Sequence, residues 1–206
     1  MSIVKLNNRG VRSATAFGSI SALGEMRFIK KLTASSSATL SFVDGTSDVV
    51  LDNTYKEYLF TFNNIHPATN NENLTFNMSI DSGSNYNVTK TTTTFYSYHD
   101  EGDSQTGLSY SAGRDLAQST AVQKITHGIG SDNDQCASGY LHLFNPSSSV
   151  MVKHFIARTH SYEGNDFSYD FFTAGYGNTT SSVDAVQFKM SSGDIDSGDI
   201  CLFGIN

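Results

Sequence analysis

The stretch YKEYLFTFNNIHPATNNENLTFNMSID, residues 55–81, decides the fold. In its first half Tyr58, Phe60 and Phe62 alternate with Glu57, Leu59, Thr61 and Asn63. In its second half Leu74, Phe76, Met78 and Ile80 alternate with Thr75, Asn77 and Ser79. A β-strand turns successive side chains to opposite faces, so each half reads as a strand with one buried face. Between them HPATNNEN supplies a Pro and a run of Asn, residues that fix or tolerate turn geometry, and this predicts a hairpin of neighbouring antiparallel strands. A two-stranded hairpin is not stable alone in water, so a second sheet must cover its apolar face.

Upstream, residues 26–32 and 38–43 read as strands joined through 33–37, with Leu40 and Phe42 pointing inward; Asp44-Gly45 marks a turn and 49–51 a short strand. Downstream, 89–99 reads as a long strand with Thr92, Thr94, Tyr96 and Tyr98 on one face and Thr91, Thr93 and Phe95 on the other. Its polarity does not argue against it, because threonine is β-branched and suits a pleated surface. Alternation returns in 139–145, 150–160, 169–176, 183–190 and 198–205, separated by NPSSS, SYEGND, GNTTSS and SSGDIDSG. About ten strands at spacings of roughly 10 to 15 residues favour two packed antiparallel sheets over a meander barrel. Strand 150–160 is apolar on both faces, Val150, Val152 and Ile156 on one and Met151 and Phe155 on the other. One face is expected to meet the second sheet. The other is expected to meet an insertion or a second copy of the chain, which marks Met151 and Phe155 as interface residues.

Two regions depart from this pattern. Residues 100–135 lose alternation; RDLAQSTAVQKI, residues 114–125, is the one plausible helix, and the whole segment reads as a long loop insertion at one end of the sandwich. Residues 1–25 have low apolar density and no period, and they separate as an N-terminal arm from a β-sandwich domain at 26–206. Ile3, Val4, Leu6 and Val11 make the arm either a docking element against a neighbour or an unstructured leader.

Composition supports an all-β chain. Ser, Thr, Asn, Gly and Asp dominate the 206 residues, charged residues are 16%, and there are two Pro and no Trp. The net charge of −7 and the lack of a basic run exclude nucleic acid and anionic membrane as natural partners. No stretch has the length of a membrane span, and SATAFGSISALG after the basic N-terminus makes a poor secretory signal. Cys136 and Cys201 fit no metal spacing; they are free thiols or one disulfide.

Candidate chemistry is sparse. His99, Asp100, Glu101 and Asp103 crowd one loop, and Asp194, Asp196 and Asp199 another; either set offers oxygen ligands for Ca²⁺ or is a solvated acidic loop. His142, His154 and His160 lie in strands without a convergence that spacing supports. The motifs of serine hydrolases, nucleotide-binding loops and zinc proteases are missing, so no catalytic residue, metal or cofactor is assigned. Tyr86, Tyr110, Tyr162, Tyr169 and Tyr176 offer rings with polar tips for glycan or protein contact, or are sheet filling.

Longer phrases carry a resemblance. LTASSSATLSFVDG, TYKEYLFTFNNIHPATNNENLTFNMSID, SGYLHLFNPSSSVMVKHF, AGYGNTTSSVDAVQFKMSSG and GDICLFGIN together resemble a family of structural proteins of tailed bacteriophages, chiefly those of marine bacteria, over about residues 30–206. The resemblance implies an antiparallel jelly-roll-like β-sandwich serving as a virion component: a head-decorating protein, a tail fibre or another tail-associated part. It implies no catalytic motif. The expectation is a non-enzymatic outer capsid protein, made in the host cytoplasm and carried on the virion. Its partners would be other capsid or tail proteins and further copies of itself in a symmetric homo-oligomer such as a trimer. The alternative is a lectin-like receptor-binding module whose loops, with His99, Asp103, Tyr162 and Asp166, touch host glycan.

Overall fold

Two antiparallel sheets divide the strands unequally. The computed structural model describes residues 26–206, which form twelve strands and no helix: β1 (Met26–Ser37), β2 (Leu40–Val43), β3 (Glu57–Pro67), β4 (Leu74–Ser79), β5 (Lys90–Asp100), β6 (Thr106–Tyr110), β7 (Gln123–Lys124), β8 (Ala137–Phe144), β9 (Lys153–Glu163), β10 (Phe167–Gly177), β11 (Ala185–Met190) and β12 (Ile195–Ile205). The larger sheet runs β1-β12-β3-β8-β9-β10-β5-β6 and the smaller β2-β11-β4-β7. The chain is an all-β sandwich. Residues 1–25, with Ile3, Val4, Leu6 and Val11, lie outside the described residues.

The alternation in residues 55–81 fixes most of the inward positions, since Tyr58, Phe60, Phe62, Leu74, Phe76 and Met78 are all buried, whereas Ile80, past the end of β4, is exposed. The expected hairpin does not form. β3 pairs with β12 and β8 in the large sheet, whereas β4 pairs with β11 and β7 in the small one. The chain therefore crosses between layers at 68–73. Alternation records which face is buried; it is the same whether the next strand pairs alongside or packs opposite. The same correction applies upstream, where 33–37 continues β1 and the crossing to β2 comes at residues 38–39.

Phe188 of β11 is the hub between the layers. Its ring lies 5.3 Å from Phe60, 5.3 Å from Phe62, 6.2 Å from Phe42 and 6.4 Å from Phe76, mostly edge to face. Such pairs add roughly 0.5–1.5 kcal/mol beyond the burial of their area.

Residues 114–125 are not helical. The segment instead runs as an irregular cover beyond the edge of β4, over the inner face of β9, β10 and β5. Its main chain pairs with strands on both sides: Ile125 N donates to Leu74 O, and Ser119 bridges to Lys90. Gln123 takes the Thr92 hydroxyl at 2.7 Å and donates to Arg114 O and Lys124 O. Ile125 and Ile129 are fully buried. Leu116, Ala117, Val122 and Ile125 do not make one helical stripe, and a backbone that finds partners on two strands gains nothing by coiling. The insertion thus completes the smaller layer along its flank; the sequence placed it at one end.

Candidate functional site: the outer face of the large sheet

Strands that bury one face usually turn polar residues to water on the other. The large sheet does otherwise. The register of its strands lines up two rungs across the outer face. The first reads Phe28, Phe203, Leu59, His142, Ile156, Ala174, Thr93. The second reads Lys31, Cys201, Thr61, Tyr140, Arg158, Phe172, Phe95, Tyr110. Ile156 is 48% and Phe95 41% exposed, and Phe28, Tyr110 and Tyr140 are exposed as well.

The rungs are ordered by their own contacts. Phe95 stacks on Phe172 at 4.7 Å with planes 5° apart, and Arg158 lies 4.8 Å over the Phe172 ring. Arg158 also donates through Nε and Nη2 to Asp170 at 3.1 and 2.8 Å, which holds its guanidinium further toward the charged form. Phe28 meets Phe203 edge to face at 5.7 Å. Ala174 and Thr93 are small beside Phe144, Ile156 and Tyr176, so the sheet surface sinks there into a shallow, largely apolar trough of about 520 Å³, which His154 and Thr91 complete.

Carboxylates interrupt this face at three points, and each meets a base. Asp170 has Arg158; Asp199 lies 3.2 Å from Lys31 and accepts from the Thr33 hydroxyl at 2.5 Å; Glu57 lies 3.1 Å from His142 Nε2, out of line for a hydrogen bond. In a chain of net charge −7, two of the three carboxylates on this face are thus paired with a lysine or arginine.

The residues singled out from sequence fall in three places. Phe155, expected on an intermolecular face, is 1% exposed and packs 4.9 Å from Phe76 in the core. The parity of that strand was assigned to the wrong side: Phe155 and Ala157 turn inward, and Ile156 is the outward apolar residue. Met151, 63% exposed, precedes β9 in a turn where its carbonyl and that of Ser148 hold Lys153 Nζ at 2.7 and 2.6 Å.

His99, Asp103, Tyr162 and Asp166 do gather at one end of the large sheet. His99 Nε2 lies 3.3 Å from Asp103, Tyr162 donates to Asp166 at 3.1 Å, and Glu101 N donates to Asp166 O at 3.0 Å. Glu101, then burial, then Asp166 push the Tyr162 phenol up to about 12. Asp100 is spent on its own turn, accepting from Ser104 N, Ser104 Oγ and Gln105 N, which keeps its carboxyl below the usual range.

Among the described residues no three His, Cys, Asp or Glu side chains are placed to hold a metal ion. Asp196 and Asp199 are engaged by Ser36, Thr33 and Lys31. His142, His154 and His160 share the outer face without converging. Cys136 and Cys201 are not joined.

No family model matches the chain, and no curated protein or solved structure is significantly similar to it.

Proposed function

We propose that this chain is a non-enzymatic structural subunit of a bacteriophage particle, an outer capsid protein that assembles by packing the outer face of its large sheet against a second copy. One observation carries the assembly reading: an apolar, aromatic surface crosses all eight strands, and two of its three carboxylates are held in ion pairs with Arg158 and Lys31. Exposed apolar area of this extent marks a contact surface. A like copy suits it because these ion pairs let two acidic chains approach face to face, and a two-fold contact needs only one self-complementary patch. Attachment to a virion rests on the phage-protein resemblance of residues 30–206. The gathering of His99, Asp103, Tyr162 and Asp166 at one end favours, as a second reading, a tail fibre or receptor-binding module that meets host glycan there.

Ile156→Lys tests the assembly. Burying an isoleucine is worth roughly 1.5–3 kcal/mol, counted twice across a two-fold axis, and the lysine adds an unpaired charge. Sedimentation should show an oligomer for the parent chain and a dissociation constant raised by about a hundredfold or more for the variant, with unchanged circular dichroism. A parent chain that stays monomeric at high concentration overturns the self-docking. Mass spectrometry of purified particles tests the virion assignment separately, and a chain missing from them removes it.

A further inference from the structure

The inner face of the large sheet extends past the small sheet, and there β5 and β10 set three tyrosines side by side. Tyr98 pairs with Tyr169 and Tyr96 with Phe171. Ring centroids are 5.5 Å apart for Tyr96 and Tyr169, 5.7 Å for Tyr98 and Tyr169, and 6.1 Å for Tyr96 and Tyr98. His127, from the cover segment, lies flat on Tyr169 at 3.7 Å with planes 7° apart. Arg114, from the same segment, borders the group. Its charge acts on Tyr96, Tyr169 and His127, and its Nε reaches Asn73 Oδ1 at 3.4 Å. All five side chains are half-buried.

Aromatic residues brought together to fill a core bury their rings and find partners for their polar tips. This group does neither. Among the described residues the tyrosine hydroxyls that hydrogen-bond to protein are those of Tyr58, Tyr110 and Tyr162, so the tips of Tyr96, Tyr98 and Tyr169 have no protein partner. His127 Nδ1 is buried without a partner. Arg114 has no carboxylate within ion-pairing distance among the described residues, and the nearby Glu163 is held by Asn165 through both its backbone and side-chain nitrogens at 2.9 Å. A ring platform edged by unpartnered hydroxyls and a guanidinium without an ion-pair partner among the described residues is suited to a flat, polyhydroxylated molecule bearing one negative charge.

We propose that this aromatic cluster binds a saccharide carrying a carboxylate, a uronic-acid unit, with its ring against Tyr96 and Tyr98, its hydroxyls on the phenols, and its carboxylate on Arg114. The cluster lies on the opposite side of the large sheet from the assembly face, so occupancy of one does not require the other.

The chain has no Trp, so its intrinsic emission reports tyrosine directly. The full chain would be titrated with tetragalacturonate and with its methyl-esterified, uncharged counterpart, by tyrosine emission and calorimetry. The acidic tetrasaccharide should bind saturably and more tightly than the neutral one. Arg114→Gln should weaken acidic binding by about tenfold and leave the neutral compound unaffected, while Tyr98→Leu should weaken both. Lys30→Gln, at the far edge of the sheet, should change neither. No saturable binding by the parent chain, equal binding of the two compounds, or an Arg114→Gln protein that melts like the parent and binds the acidic compound equally well would each overturn the assignment. Sedimentation of the same samples keeps this outcome separate from that of the assembly face.

Discussion

Lys90 opens β5 with no exposed surface, and among the described residues its ammonium has no carboxylate within ion-pairing distance. Nζ donates to Asn77 Oδ1 at 2.5 Å and Val88 O at 2.8 Å, and burial pulls its pKa down to about 8. In the unfolded chain the same lysine titrates near 10.4. Between these values the unfolded state holds more protons than the native one, so stability rises with pH. The stability deficit from burying the charge is largest below pH 8 and fades as pH climbs toward the unfolded value. Evaluating the linkage at pH 7 and 9.5 gives a gain of about 2 kcal/mol from this one group. Lys90→Met keeps the aliphatic stem and removes the proton. Urea unfolding at pH 7, 8, 9 and 9.5, followed by tyrosine emission, should show the difference in stability between parent and variant shifting by about 1 to 2 kcal/mol in favour of the parent as pH rises. The thiols, whose raised pKa values act in the opposite direction, cancel because both proteins carry them. Stopping at 9.5 avoids Tyr58, whose phenol burial holds well above its ordinary value. Parallel curves would refute the account of Lys90 as a desolvated cation.

Two other expectations follow from the core and the thiols. Phe188→Ala removes the ring that four other phenylalanines surround and should lower unfolding free energy by about 3–5 kcal/mol; a loss under about 1 kcal/mol in urea titration would show that the sheets do not meet there. Cys136 and Cys201 are shifted up, chiefly by burial and then by Asp134 and Asp199 respectively. Iodoacetamide at pH 7.5 should therefore alkylate the native chain several-fold more slowly than the urea-unfolded chain, since the thiolate is the reacting species; equal rates would contradict the partial burial of the two thiols.

Residues 55–81 show what was legible in the sequence and why the rest was not. The apolar residues of β3 up to Phe62 and of β4 were assigned to the core correctly, because burial of one face leaves a period of two in the chain; the bulge that moves burial to Ile65 and the covering of Thr75 and Asn77 left no such mark. Sheet membership left no such trace: a strand returning beside its predecessor and one crossing to the opposite layer bury the same residues. Residues 100–135 were harder still. Their order comes from side chains such as Gln123 and from backbone pairing with β4 and β5, and neither leaves a period. The outer face was half-visible in Met151, Phe155 and Ile156, but the sequence offered two parities for one doubly apolar strand and no means of choosing. Its other members, Phe28, Leu59, Phe172 and Phe95, are far apart in sequence and become one surface only through register.

The small sheet supplies the control that makes the large sheet's outer face meaningful. Its outward positions carry polar side chains, and on β4 these are themselves covered: Thr75 and Asn77 are buried, and Asn77 donates to Tyr86 O and Thr120 O. One rung reads Ser41, Gln187, Asn77, the next pairs Lys189 with Thr75, and Gln187 donates to the Ser41 hydroxyl at 3.1 Å. The same chain, drawing on the same stock of residues, therefore writes polar rungs on one layer and Phe, Ile and Tyr on the other. General apolarity of the chain would have coloured both. Nor does strand propensity explain the difference, since threonine serves a strand as well as phenylalanine and this chain uses it freely in β5. Covering Phe28, Ile156 and Phe95 is the condition under which their hydrophobicity becomes favourable, and that condition is met between subunits.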